Sequence, residues 1–239
     1  ITCRDWSSDV CSSDLISLNS QAQLLKKAKD LVEQGKKSGF TEQEAVSGIK
    51  EALSKGTVKG VEMVSKKDGY FGDAEIKIPF PQEAKTIEDK LRAIGMGKKV
   101  DEVVLSINRA AEDAAVKAKD IFLAAIKEMT VKDAINIVKG NDNAATQYLK
   151  THTSAELKKQ FTPIIDESLK KVNATKYWSD VINTYNKIPM VKKMNPNLTE
   201  YVTDKAIEGL FVKIAKEEKE IRKNPLARTS DLLKKVFGK

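Results

Sequence analysis

Beyond residue 15 the 239-residue chain contains no cysteine, and histidine occurs only once, as His152. The first absence excludes disulfides, cysteine-ligated zinc and a cysteine nucleophile from residues 16–239. The second leaves any Ser-His-Asp arrangement dependent on a single imidazole, which reads as a surface histidine beside a helix C-terminus. Arginine is scarce as well: Arg4, Arg92, Arg109, Arg222 and Arg228 are all there is, so lysine carries most of the net charge of +8. Readers of base sequence lean on arginine forks, whereas these lysines alternate with Glu and Asp as on solvated helix faces, so specific nucleic-acid recognition is not expected. The charge is compatible with non-specific attraction to an anionic surface, lipid or nucleic acid. No apolar run approaches the roughly 20 residues that span a bilayer. There is no HExxH, no Gly-rich phosphate loop before Lys-Ser/Thr and no dinucleotide fingerprint. No cofactor and no metal is expected, and the sequence leans away from an enzyme without excluding one.

What is present suits a globular chain: 41% hydrophobic and 32% charged residues, in a length that buries about three quarters of its unfolded surface without staples. The front end is the exception. Residues 1–15 hold both cysteines, Cys3 and Cys11, together with Trp6 and a repeated Ser-Ser-Asp, and follow neither helical nor strand period. Asp5 to Leu15 resembles the translated reading frame of a sequencing-library adapter, so residues 1–15 are expected to be an artefactual leader. On that reading the native N-terminus, with any export signal or lipid anchor, has been lost.

From Thr41 onward, helix start and stop signals recur and almost nothing alternates with period two. The expectation is an all-α fold, a single-domain bundle of about seven to nine helices over residues 41–238. It is preceded by a linker with a leading helix (16–40, Leu24 to Gln34). Thr41-Glu42-Gln43-Glu44 is a capping box that opens a helix to about Val64. On it Ala52, Gly56 and Gly60 share one face, for close approach of another helix or for backbone contact with a ligand. "KKDGYFGDAEIKIPFP", residues 66–81, interrupts the pattern. Ile76, Ile78 and Phe80 alternate with Lys77 and Pro79, and two prolines argue against a central strand, so residues 74–81 read as an extended strap with its apolar side inward.

Pro81 suits the first turn of a helix ending near Gly95. Residues 100–129 read as one long amphipathic helix with an alanine centre. Thr130 caps a short helix to Gly140, Asn141 to Asn143 lead into one running to Lys150, and Thr153 with Glu156 forms a second capping box for a helix to Val172 containing Pro163. Tyr177 to Tyr185 is helical; Pro196 to Thr199 starts a long helix to Lys223; a last basic helix surrounds Asp231 to Phe237.

Several clusters are candidate ligand-binding residues, each with a plainer alternative. In "DGYFGD", Asp68, Tyr70 and Phe71 form either a recognition loop or an aromatic plug into the core, the plug being commoner. In "SINRAAED", Asn108 is a candidate, and Arg109 and Asp113 lie four apart on the face opposite the apolar stripe, as a surface ion pair or as contacts to the strap or a ligand. In "KGNDNAAT", Asn141 and Asp142 have the oxygen-rich look of a calcium loop, but lack its ligand spacing, and Gly140 as a helix end explains them better. Tyr177, Trp178 and Tyr185 fall on one helical side, which is more often core than ligand box.

"KKDGYFGD", "SINRAAEDA", "MTVKDAINIVKGNDNAATQYL", "ATKYWSDVINTYNKIP" and "KEIRKNPLARTSDLLKKVFG" together resemble a bacterial family catalogued as domain of unknown function 4197, from about Thr41 to Gly238. The resemblance implies an exported protein of Gram-negative bacteria, often with a signal peptide or lipoprotein leader, and supplies no catalytic residues. Members tend to carry proline in the stretch matching Ala115 to Asp120, where this chain has none. The functional expectation is therefore a periplasmic or envelope-anchored binding or scaffolding module, for an apolar small molecule lodged behind the strap or for an envelope protein, meeting the membrane only through the lost anchor. The alternatives are a metal-assisted hydrolase using Glu112, Asp113 and Asp142, or a binder of anionic lipid or nucleic-acid surfaces.

Overall fold

The computed structural model describes residues 42–224, apart from 172, 188, 191 and 192. The chain divides into Ile1–Ala45 and Val46–Lys239. The first unit is described only from Glu42, and the second holds the fold. The adapter-like leader, the leading helix, Thr41 and the last basic helix lie outside the described residues. Among those described there are eight α-helices and no strand: α1 Glu42–Ser65, α2 Lys85–Ala93, α3 Gly97–Ala115, α4 Ala118–Glu128, α5 Val131–Lys139, α6 Ala144–Lys171, α7 Ala174–Tyr185 and α8 Leu198–Lys223. The all-α reading and its helix count hold.

The bundle is built round α6, which packs against α8, α3 and α4. Leu149, Leu157, Phe161, Ile165 and Leu169, spaced by four or eight residues, are all fully buried along it, the stripe that a helix of 3.6 residues per turn turns toward a core. The facing surfaces are chosen for closeness. Ala110, Ala111, Ala114 and Ala115 on α3 and Ala206 on α8 are fully buried, so the helix axes are not held apart by long side chains. Phe122 of α4 meets Phe211 of α8 edge to face, with ring centroids 5.7 Å apart, a favoured aromatic geometry. The small-residue face of α1 is also a helix contact. A Cβ on Gly56 would stand 3.1 Å from Ile221 Cδ1 and one on Gly60 3.3 Å from Ile214 Cγ1, so α8 occupies the space expected of a neighbouring helix.

Two helix boundaries differ from the sequence reading. The long helix over 100–129 starts earlier, at Gly97, and divides at Val116 and Lys117 into α3 and α4. Lys117 N–H donates to Ala114 O at 3.1 Å, a tighter turn than the α-helical ladder. Val116 is left 57% exposed while Ala115 and Ala118 on either side are fully buried. No glycine or proline marks the place. The second difference is a merger. The helices expected over 144–150 and 153–172 are the single helix α6. Thr153 is buried within it and its hydroxyl donates to Leu149 O at 2.6 Å, so with no orphan amide nearby Thr153 and Glu156 form no capping box. His152 consequently lies inside a helix and not beside its end. It is exposed, with Nδ1 2.8 Å from Tyr148 O and its ring stacked on Tyr148 at 4.1 Å.

The remaining punctuation is as read. Thr130 and Asp133 form a reciprocal capping box on α5, Asn197 Oδ1 accepts from Glu200 N–H at the start of α8, and Pro163 is carried inside α6. Pro81 is the exception: it stands before a single 3-10 turn, Gln82–Ala84, and so lies outside α2 and not in its first turn.

Candidate functional site

The strap is a non-helical segment, and its apolar side faces inward: Ile76 and Ile78 are buried, Phe80 is half-buried, and Lys77 and Pro79 are exposed. Residues 74–76 are a turn, with the Ile76 and Lys77 N–H groups donating to Asp73 O at 3.2 and 2.8 Å, so the extended backbone expected over 74–81 is confined to its later part, from Lys77. It has no ladder partner there, and side chains must satisfy its polar groups. Asn108 of α3 does this at the strap's centre. Its Nδ2 donates to Ile78 O at 2.8 Å and its Oδ1 accepts from Ile78 N–H at 2.8 Å, as an adjacent strand would. Glu112, one turn along α3 and 4% exposed in its side chain, accepts from the N–H groups of Tyr70 and Phe71 at 3.1 and 3.2 Å. Arg109 bridges Glu112 Oε2 at 2.6 Å and Asp68 Oδ1 at 2.7 Å. Phe71 lies beneath Lys77, whose Nζ is 4.0 Å from the ring centroid.

From the other side α8 holds the same segment. Tyr70 is fully buried and its hydroxyl donates to Ala206 O. Burial, with Glu112 nearby, pushes that hydroxyl well above its ordinary pKa, so it remains a donor. The ring fits because residue 209 is glycine: a Cβ there would lie 2.8 Å from Tyr70 Cε1 and 3.1 Å from Ile76 Cβ. Tyr201 donates to Pro79 O at 3.2 Å, and Trp178 of α7 packs edge-on against Phe80 at 5.3 Å. Lys213, 7% exposed in its side chain, pairs with Asp73 and with Glu75, the latter at 2.9 Å, and Lys216 adds a further bond to Glu75.

That clamp gives a pH dependence. The hydrogen bond from Lys213 holds Asp73 below its ordinary 3.8, and those from Lys216 and Lys213 hold Glu75 below its ordinary 4.5. Burial alone would lower Lys213, but its bonds to Asp73 and Glu75 outweigh that and raise it above 10.5. Depressed carboxyls contribute stability that is present above their unfolded values and lost as pH falls through the folded ones; a raised ammonium contributes stability present below its unfolded value and lost as pH rises through the folded one. Amide protection over residues 73–78 should therefore hold at neutral pH and fall on acidification below about pH 4. In Lys213→Met that acid step should shrink; an unchanged step in the variant would count against the clamp.

The sequence-level candidates thus divide. Asp68, Tyr70, Phe71, Asn108 and Arg109 come together at the strap, and Trp178 joins its far end. Tyr70 is the core plug. Arg109 is paired with Asp68 and Glu112, where the surface pair with Asp113 had been one reading; Asp113 is exposed. Asn141 and Asp142 lie exposed at the α5–α6 link, away from that group, with Asp142 bonded to Lys223 at 2.6 Å. Gly140 does end α5, but as its C-cap at φ −77° and not as a left-handed C′ glycine, and α6 starts at Ala144 with its first amides bonded to Glu218, so neither Asn141 nor Asp142 is the N-cap that the plainer reading expected. Tyr177 is 63% exposed while its neighbour Trp178 is 6% exposed, so the expectation of a shared aromatic side fails for Tyr177: adjacent helical residues point about 100° apart. The hydrolase constellation is not assembled. Glu112 is consumed by the strap, and among the described residues no group of three or more His, Cys, Asp or Glu could hold a metal ion.

Sequence reasoning missed Gly209, Tyr201 and Lys213. Lys213 did carry a signal, a charge within the apolar face of α8 formed by Ala206, Leu210 and Ile214. Nor is the space behind the strap empty; Tyr70, Ile76 and Ile78 fill it. An open volume of about 400 Å³ lies instead alongside, between residues 75–79 and α8. Its floor includes Ile76, Gly209 and Val212, and its rim carries Glu75, Lys77, Tyr201, Lys205 and Glu208.

No curated protein and no solved structure matches the chain. A family profile does, over residues 39–238, which cover the strap, its anchors and all eight described helices. The chain belongs to the family described as Protein of unknown function (DUF4197).

Proposed function

We propose that the chain is a periplasmic binding or scaffolding module of the bacterial envelope, and that its binding face is the groove between the strap and α8. The observation that carries this reading is the groove itself: about 400 Å³, a volume within the usual range of ligand sites. One wall is a segment pinned at both ends by buried polar side chains, and such preorganisation spares a ligand the cost of ordering the site. Lys205 pairs with Glu208 at 2.7 Å and Glu75 with Lys213 and Lys216. Rim charges that neutralise one another favour a neutral or zwitterionic ligand with a modest apolar body, such as a short peptide segment of an envelope partner. They disfavour a polyanion, and the polar rim disfavours a wholly apolar small molecule. The location is supported by the resemblance to exported proteins and by no contact in the fold.

Ligand-observed NMR of a library of short peptides and small polar compounds, run against the wild type and Val212→Trp, tests the groove. Hits that bind the wild type and are lost in the variant at an unchanged thermal midpoint are expected; hits that bind both alike, or no hits at all, would refute it. Export is tested separately by reading the genomic DNA upstream of codon 16. A reading frame that begins there without a signal sequence or lipoprotein leader would overturn the periplasmic assignment.

A further inference from the structure

We infer that the turn joining α2 to α3 is a membrane-contact tip that seats on the headgroup layer of an anionic bilayer. Residues 90–99, "KLRAIGMGKK", carry four basic side chains and no acidic one. Carboxylates flank the segment on both sides: Asp89 pairs with Lys85 at 2.9 Å, Glu88 and Asp101 bond Arg92 at 2.9 and 2.8 Å, and Glu102 is exposed, so the cations of the tip that these ion pairs leave are Lys90, Lys98 and Lys99. Lys90, Lys98 and Lys99 are exposed. Between them stand two apolar side chains with little to cover them, Ile94 at 71% and Met96 at 38% exposure. On α2 itself no residue is buried.

The turn is rigid. Gly95 has φ +84°; its N–H donates to Arg92 O at 3.1 Å and Met96 N–H donates to Leu91 O at 2.9 Å, the paired closure that ends a helix on a left-handed glycine. Backbone geometry therefore holds Ile94 outward. In water its exposed area goes uncompensated, whereas in a headgroup layer it is buried while the lysine stems bend their ammonium groups toward lipid phosphates. A second copy is the weaker occupant. A two-fold contact sets the same patch against itself, and here it would oppose Lys90, Lys98 and Lys99 with the same three lysines. The groove is no part of this argument, since none of residues 90–99 lines it. No helix among the described residues is long and apolar enough to cross a membrane, so the contact is peripheral.

Co-sedimentation of the full chain with vesicles of phosphatidylglycerol and phosphatidylethanolamine, and with vesicles of phosphatidylcholine alone, tests the tip. Binding to the anionic vesicles should exceed that to the neutral ones by about tenfold or more, and fall on the order of tenfold between about 50 and 500 mM salt. The double variants Ile94→Ser/Met96→Ser and Lys98→Glu/Lys99→Glu, all at exposed positions that folding tolerates, should each lose about tenfold in binding at an unchanged thermal midpoint. Three outcomes would overturn the inference. They are no binding to anionic vesicles; salt-sensitive binding that both variants retain, which would mean diffuse adsorption through other lysines; or a concentration-dependent dimer that Ile94→Ser/Met96→Ser abolishes, which would give the tip to a second copy.

Discussion

Glu218→Ala should lower the unfolding free energy by about 3–5 kcal/mol, the range for stripping one partner from a buried charged pair. Glu218 is 5% exposed in its side chain and belongs to α8, yet it caps α6: Ala145 N–H, Thr146 N–H and the Thr146 hydroxyl all donate to it, at 2.9, 2.8 and 2.7 Å. A helix N-terminus has orphan amides and a partial positive charge, so a buried carboxylate there is doubly suited. Arg222, one turn on, bonds Glu218 at 2.8 Å and donates to Ile137 O near the end of α5 at 2.8 Å. The pair thus ties the end of one helix and the start of the next to a third. Alanine leaves those amides dry and the guanidinium partly unpaired. Urea titration is the check: the midpoint should drop with little change in slope, and Glu218→Gln, which keeps an acceptor but loses the charge, should fall between. A loss under about 1 kcal/mol would mean that water replaces the carboxylate freely.

Tyr70→Ala should cost about as much, 3–5 kcal/mol, because it removes a fully buried aromatic ring and the strap relaxes only in part. Tyr70→Phe isolates the hydroxyl. It keeps the ring against Gly209 and leaves Ala206 O without that donor, for about 1 kcal/mol. Hydrogen exchange separates the two effects. In the phenylalanine variant protection should fall at residues 68–80 and around Ala206 ahead of the rest of the bundle; in the alanine variant the whole strap should exchange readily and the adjacent groove should lose its wall. Should the alanine variant fail to fold, the phenylalanine variant still decides, since a uniform loss of protection would show that the strap is no separate unit.

The helices were legible because their periodicities and caps are local: Thr130 with Asp133, Asn197 with Glu200, and the stripe of α6 need only neighbours in sequence. The errors lie where tertiary burial overrides a local sign. Thr153 and Glu156 match a capping box, but Thr153 falls on the buried face of α6 and its hydroxyl turns to the preceding carbonyl. Residues 116–117 carry no breaker, and still the helix divides there. At the strap, the sequence showed which residues were unusual without showing their partners. Asn108 and Ile78 are 30 residues apart, Tyr70 and Ala206 are 136 apart, and Lys213 and Glu75 are 138 apart; no periodicity encodes such pairings.

These long separations bear on the order in which the chain can fold as it leaves the ribosome. The first turn of α6 waits for Glu218, 72 residues later, and the strap waits for Ala206 and Lys213. Loop closure of that length must precede any return from the contacts. Until α8 emerges, a nascent polypeptide carries both an unfinished helix start and an unlatched strap, so the final described helix acts as a keystone and the structure locks in one late event.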